Sequence, residues 1–165
     1  MSGADLVLHP EEYERIREVI ARLRVECNAK MVFLIDKAGQ QIAAQGEIEG
    51  VDTTALASLA AGNVAATDSL ARLIGEKEFT ILFHEGERDN LHISVVAARV
   101  ILVVIFDERS SLGLVRLRVK RGSEGLQKVL DEVYKRSRSP RKMAAGGGSP
   151  FSEITDEDID RLFSD

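Results

Sequence analysis

The chain contains no tryptophan, and aromatic residues make up only 5% of it. Stacking platforms for bases and sugar rings need exposed aromatic faces, so that class of site is disfavoured. Its single cysteine, Cys27, excludes an intrachain disulfide and any cysteine-rich metal site, and fits a reducing compartment. The opening residues, MSGADLVLHPEE, have no basic flank and no apolar stretch of signal-peptide length. The apolar run VILVVIF at 100–106 is far too short to cross a bilayer. These absences set the expectation of a soluble, cytoplasmic protein without membrane insertion.

Chemistry-bearing motifs are missing as well. There is no GxxxxGK[ST] loop, no GxGxxG and no GxSxG. His9, His84 and His92 share no metal-ligand spacing. His84 and His92 flank one turn, and the expectation is a strand-edge position for one and partial exposure for the other. Cys27 reads as a core residue rather than a nucleophile. No catalytic residue, metal or cofactor is expected of this chain.

What is present is 44% hydrophobic and 30% charged residues over 165 positions, enough for one packed domain plus an appendage. The net charge of −5 sits in the last fifteen residues. There Glu153, Asp156, Glu157, Asp158, Asp160 and Asp165 oppose Arg161 alone, so the remainder is neutral.

Pro10 suits the first turn of a helix, and Glu11 and Glu12 suit its positive end. Tyr13, Ile16, Ile20, Leu23 and Cys27 form one apolar stripe, and Asn28 suits a left-handed cap. Met31 to Asp36 and Gln40 to Ala44 read as a hairpin around the turn Asp36-Lys37-Ala38-Gly39. A helix is expected over 53–74, capped by Asp52 and closed by Gly75. Residues 78–84, 91–97 and 100–106 read as three antiparallel strands, the last covered on both faces. Leu112, Val115, Val119, Gly122, Leu126, Val129 and Val133 carry a third helix, capped by Ser111. Gly122 and Gly125 weaken it by about 1 kcal/mol each relative to alanine. The order is α-β-β-α-β-β-β-α: an α+β sandwich of five antiparallel strands with helices on both faces. This unit spans 1–136, with a Gly/Ser/Pro-rich linker over 137–150 and a separate acidic segment over 151–165.

The second helix is built from small residues, TTALASLAAGNVAATDSLAR over 53–72. At 100° per residue, Leu56, Leu59, Ala60, Asn63, Thr67, Leu70 and Ile74 fall on one half, expected to pack on the sheet. Thr54, Ser58, Ala61, Gly62, Ala65, Asp68, Ser69 and Arg72 fall on the other, expected to face outward. Such a face suits a docking platform, because small side chains permit close approach and lose little entropy on burial. The plainer reading is a helix made small to fit a neighbour within the monomer.

The last segment, FSEITDEDIDRLFSD, carries helix-start signals: Thr155 as cap, Asp158 three residues on, and Ile154 and Ile159 as a hydrophobic staple. Ile159, Leu162 and Phe163 make an apolar edge. A helix this short is marginal alone and is expected to form on docking; the alternative is a solubilising acidic tail. The basic cluster Arg116, Arg118, Lys120, Arg121 and onward through Lys142 reads as a solvated helix face or a site for an acidic protein, with no nucleic acid expected.

The strings DTTALASLAAGNVAATDSLARLIGE (52–76), VVIFDERSSLGLVRLRVK (103–120) and SPFSEITDEDIDRLF (149–163) closely resemble bacterial Roadblock proteins of the MglB type. The resemblance implies a Roadblock-type sandwich that forms a homodimer. The third strand, here Phe79, Thr80, Ile81, Leu82 and Phe83, would pair edge to edge, bringing the two second helices side by side. It further implies that the helix pair binds a small Ras-like GTPase of the MglA type and stimulates GTP hydrolysis, in cell polarity or gliding motility, concentrated at a cell pole. GTP and Mg would be held by that partner. Ala61, Ala65 and Ser69 would lie central to the contact, within the set Thr54, Ser58, Ala61, Gly62, Ala65, Asp68, Ser69 and Arg72. The tail, through Phe151, Ile154, Ile159, Leu162 and Phe163, would meet a second surface of the GTPase and modulate nucleotide exchange. The alternative is a Roadblock scaffold that binds a GTPase or motor complex without activating it. A ligand-sensing module is a further reading, disfavoured by the aliphatic strands at 91–106.

Overall fold

A computed structural model describes residues 7–138. The expected linker and the acidic segment 151–165 therefore lie outside the described residues, apart from the two positions that continue the last helix. The elements are α1 (Pro10–Cys27), β1 (Met31–Asp36), β2 (Gln41–Gly46), α2 (Thr53–Leu73), β3 (Ile81–Glu85), β4 (Asn90–Val96), β5 (Val100–Phe106) and α3 (Leu112–Arg138). The five strands form one antiparallel sheet in the order β2-β1-β5-β4-β3.

Strand alternation builds two cores. Val32 and Leu34 of β1, with Val100, Leu102, Val104 and Phe106 of β5, face α1 and α3. Met31, Phe33 and Ile35, with Ile101, Val103 and Ile105, face α2. β1 and β5 are covered on both sides, which is why Met31–Ile35 and Val100–Phe106 are apolar without interruption.

Local chemistry sets the element ends. Asn28 adopts φ 50° and ψ 44° as the left-handed cap of α1, and its N–H closes on Arg24 and Val25 carbonyls. Gly39 turns the hairpin at φ 91°, and a Cβ there would stand 3.1 Å from Cα of Ser58 on α2. Ala97 and Ala98 take φ of 55° and 57° in the turn between β4 and β5, a tight turn built without glycine.

Two details of the helical layer depart from expectation. Tyr13 is exposed, and the stripe position beside it is taken by Glu12. Burial would raise the Glu12 carboxyl, but the His9 N–H and the Arg136 guanidinium outweigh it and hold it below the usual range. Gly122 has a packing reason: a Cβ there would lie 3.0 Å from Cδ1 of Leu23, so the glycine lets α1 and α3 approach closely. The helix propensity it forgoes is exchanged for that contact.

Candidate docking face on the second helix and the edge strand

The second helix starts as its sequence dictates, with Oδ1 of Asp52 accepting from the Ala55 N–H at 3.0 Å. It lies on the sheet face opposite α1 and α3, packing through Ala57, Ala60, Ala61 and Val64. The packed face is rotated from the one expected. Ala61, expected to face outward, is buried against the sheet. Leu59, Leu70 and Ile74, expected to pack, are exposed. The error follows from assuming that the larger residues face inward. Here alanines fill the inner face, because the hairpin turn and sheet come close to the helix. Small side chains at Ala57, Ser58 and Ala61 make room for Gly39. Part of the small-residue pattern thus serves packing within the chain.

The outward face still carries the other expected residues. Thr54, Ser58, Gly62, Ala65, Ser69 and Arg72 are exposed, and Asp68 is half-buried. Ser69 is turned back onto the carbonyl of Ala65 at 3.3 Å, and Arg72 Nε donates to the Asp68 carbonyl at 3.4 Å. Both polar side chains therefore lie along the helix rather than standing away from it. Beside them runs a strip that the sequence reading missed: Leu59 is 73% exposed and Leu73 82%, with Leu70 and Ile74 also open. Single exposed aliphatic residues need no explanation, but three leucines on α2 with Ile74 at its C-cap make an apolar strip.

The third strand stands at the edge of the sheet, paired on one side only, with β4. It begins at Ile81, so Phe79 and Thr80 precede the regular strand, although the Thr80 carbonyl still accepts from the Val95 N–H at 2.9 Å. Ile81 is exposed, and Leu82 and Phe83 are half-buried. Leu82 packs toward the α2 core, and Phe83 stacks on Phe106 of the other core, with centroids 6.2 Å apart. Nδ2 of Asn63 on α2 lies 3.0 Å from Nε2 of His84 on β3, joining the helix to the edge strand.

The histidines separate. His84 is exposed at the edge, as expected of one of the pair, whereas His92 is fully buried rather than partly exposed. His92 and Ser94 share the α1/α3 side of β4 with Val96, while His84 points to α2, so the two histidines do not face each other. Neither ring nitrogen of His92 has a hydrogen-bond partner among the described residues. Its two-residue spacing from Ser94 and Val96, on one face of the strand, was the available signal for burial. Burial, aided by Arg116, pushes its pKa below the ordinary histidine value. Cys27 is a core residue as expected, and burial pushes its thiol up to about 11. Among the described residues no cluster of His, Cys, Asp or Glu has metal-site geometry, and no helix is long and apolar enough to cross a membrane. The expected tail residues Phe151, Ile154, Ile159, Leu162 and Phe163 lie outside the described part.

The Roadblock/LC7 domain matches residues 15–106. None of the curated proteins compared with the chain matches it. Among solved structures, MglB of Myxococcus xanthus shares 54% identity, with a TM-score of 0.74 over 78% of this chain and 96% of that one. The gliding protein MglB of Thermus thermophilus shares 37% identity, with a TM-score of 0.73 over 79% and 99%. A structure described as MglB with tetrameric arrangement shares 36%, with a TM-score of 0.75 over 80% and 99%. Roadblock topology, together with this identity sustained across nearly the whole of each relative, means that the chain belongs to the Roadblock/LC7 family and, within it, to the MglB group.

Proposed function

We propose that the protein is a homodimeric activator of a small Ras-like GTPase of the MglA type. The observation that carries the reading is the exposed strip of Leu59, Leu70, Leu73 and Ile74 together with an edge strand that is paired on one side only. An edge strand offers free backbone donors and acceptors, and apolar residues beside it favour covering the edge with a second copy. Pairing β3 with its counterpart would extend the sheet across the two-fold axis and set two α2 helices side by side. Such an interface is isologous, each copy using the same patch.

The paired helices then present Ser58, Gly62, Ala65 and Ser69 as a low surface onto which switch loops of a GTPase can settle. Arg72 is the only arginine on that face, and its side chain is turned along the helix. An arginine finger reaches into the nucleotide site to offset transition-state charge, which is worth about 10³–10⁵ in rate. The reading here is different: the dimer orders the switch loops so that the GTPase aligns its own Arg and Gln. On this account no residue of this chain is catalytic. The acidic C-terminal segment docks a second surface of the same GTPase and modulates nucleotide exchange.

The test is single-turnover GTP hydrolysis by the cognate GTPase with and without this protein. A large acceleration, retained by Arg72→Ala, supports activation without a finger. Loss of stimulation in Arg72→Ala with binding intact overturns the no-finger mechanism. Binding without acceleration supports the scaffold reading instead, which the same docking face also fits. Deleting residues 150–165 should lower affinity or alter nucleotide release; if both are unchanged, the tail has no part in the interaction.

A further inference from the structure

On the side of the molecule away from α2, the outer seam between α1 and α3 opens into a cleft of about 220 Å³. Its apolar floor comes from Val19 and Leu23 of α1, which pack against Gly122 and Gly125 of α3. Arg22, Arg118 and Arg121 line it against a single acid, Glu26, so the cleft is basic. Arg118 is half-buried, and its Nε is shielded from solvent without a hydrogen-bond partner among the described residues. A site with an apolar floor and guanidinium walls fits an acidic segment punctuated by aliphatic or aromatic residues.

We infer that this cleft is the seat of the chain's own C-terminal segment, residues 151–165. That segment carries Glu153, Asp156, Glu157, Asp158, Asp160 and Asp165 around Ile159, Leu162 and Phe163, and holds the chain's entire net charge of −5. The geometry of attachment agrees. The last helix ends at Arg138, and residues 139–150 intervene before the acidic segment. Gly122 lies sixteen residues back along the same helix, roughly 24 Å at 1.5 Å per residue. A Gly/Ser-rich linker of that length has a root-mean-square span of roughly 17–21 Å and a limit near 40 Å. The tether thus matches the distance to its own cleft, the condition under which effective concentration is greatest, in the mM range. Even a weak contact is then substantially occupied. The inference does not rest on the GTPase reading. Should that reading hold, the tail is parked on its own domain and must leave the cleft before it meets a partner.

The test uses the full chain with Ser164→Cys carrying a nitroxide spin label. Cys27 is buried with a raised thiol pKa, so the label goes to the new site. The expected result is a loss of amide peak intensity confined to residues 19–26 and 118–125, recovered on reducing the label. It should weaken with rising salt and vanish in Arg118→Glu/Arg121→Glu. Phe163→Ser in the tail should also abolish it, and it leaves the folded domain untouched if the arginine variant proves unstable. Intensity loss spread evenly over the surface, or centred on α2 and β3, overturns the inference. So does a loss seen only when labelled and isotope-enriched chains are mixed, since the tail would then sit on a second copy.

Discussion

Asn63 and His84 meet at 3.0 Å, joining α2 to β3, one of the two edge strands of the sheet. The contact couples the two elements invoked for docking. Removing either partner should cost about 0.5–1.5 kcal/mol, the net worth of an ordinary side-chain hydrogen bond. In a double-mutant cycle of Asn63→Ala and His84→Ala, the second change should cost less once the first is made. Urea unfolding of the four proteins measures this; strictly additive losses would mean the pair does not interact.

The rotation of α2 separates two alanines that a helical wheel centred on Ala65 places side by side. Ala61 is buried against the sheet and Ala65 is exposed. Ala61→Leu should destabilise the fold by about 1–3 kcal/mol through overpacking. Ala65→Leu should stay within about 0.5 kcal/mol. Ala65→Arg should leave the dimer intact in sedimentation and remove GTPase binding. An Ala65→Arg protein that still binds and stimulates the GTPase would sink the platform idea, whereas a failing Ala61→Arg protein would report only on folding.

The leucine strip makes a separate prediction about assembly. Leu73→Asp with Ile81→Lys places charges on the helix end and on the edge strand, where burial against a second copy would desolvate them. The variant should sediment as a monomer at concentrations where the parent is dimeric, with an unchanged far-UV circular dichroism spectrum. A parent that is itself monomeric at high concentration would contradict the proposed interface.

The succession of elements along the chain and their antiparallel pairing were legible, because a strand that buries a face writes its period into the sequence; the order of strands within the sheet was not read from it. VILVVIF announced a two-sided central strand, and the turn Asp36–Gly39 announced a hairpin. The phase of α2 was not legible, because alanine carries no marker of direction: it suits a tight interface and an open platform equally well. Only the distance between helix and hairpin decides, and that is a tertiary quantity. The start of β3 was misplaced by three residues for a related reason. A strand paired on one side, with exposed and half-buried side chains, loses the alternation that marks its neighbours. The proposed docking face is thus where sequence reading was weakest, since an exposed surface is under no demand from the chain's own core.

Gly122 and Gly125 of α3 should respond in opposite directions. A Cβ at Gly125 would meet Val19 methyls at 3.8 and 3.9 Å, an ordinary contact. Gly125→Ala should therefore raise stability by about 0.5–1 kcal/mol through helix propensity. At Gly122 even a methyl crowds Leu23, so Gly122→Leu should lower stability by about 1–3 kcal/mol. Thermal unfolding monitored at 222 nm separates the pair.

His92 gives the fold an acid-sensitive point. Its ring is buried beneath α3 with both nitrogens lacking partners among the described residues, and its pKa is lowered, first by burial and then by Arg116. In the unfolded chain the imidazole takes a proton near its ordinary value of 6.5; in the folded chain it does so only at lower pH. Between those two values the unfolded state binds the extra proton, so stability falls as pH falls. Above 6.5 both states are neutral and the group contributes no slope; below the folded pKa both are charged and the loss is complete. Denaturation curves from pH 7.5 down to pH 5 should therefore show a decline that His92→Leu lacks. At pH 7.5 the leucine variant should be at least as stable as the parent, because it removes two buried polar atoms at similar volume. Equal pH slopes in the two proteins would place the sensitivity elsewhere, in the carboxylates, of which Glu12 beside Arg136 is the buried example.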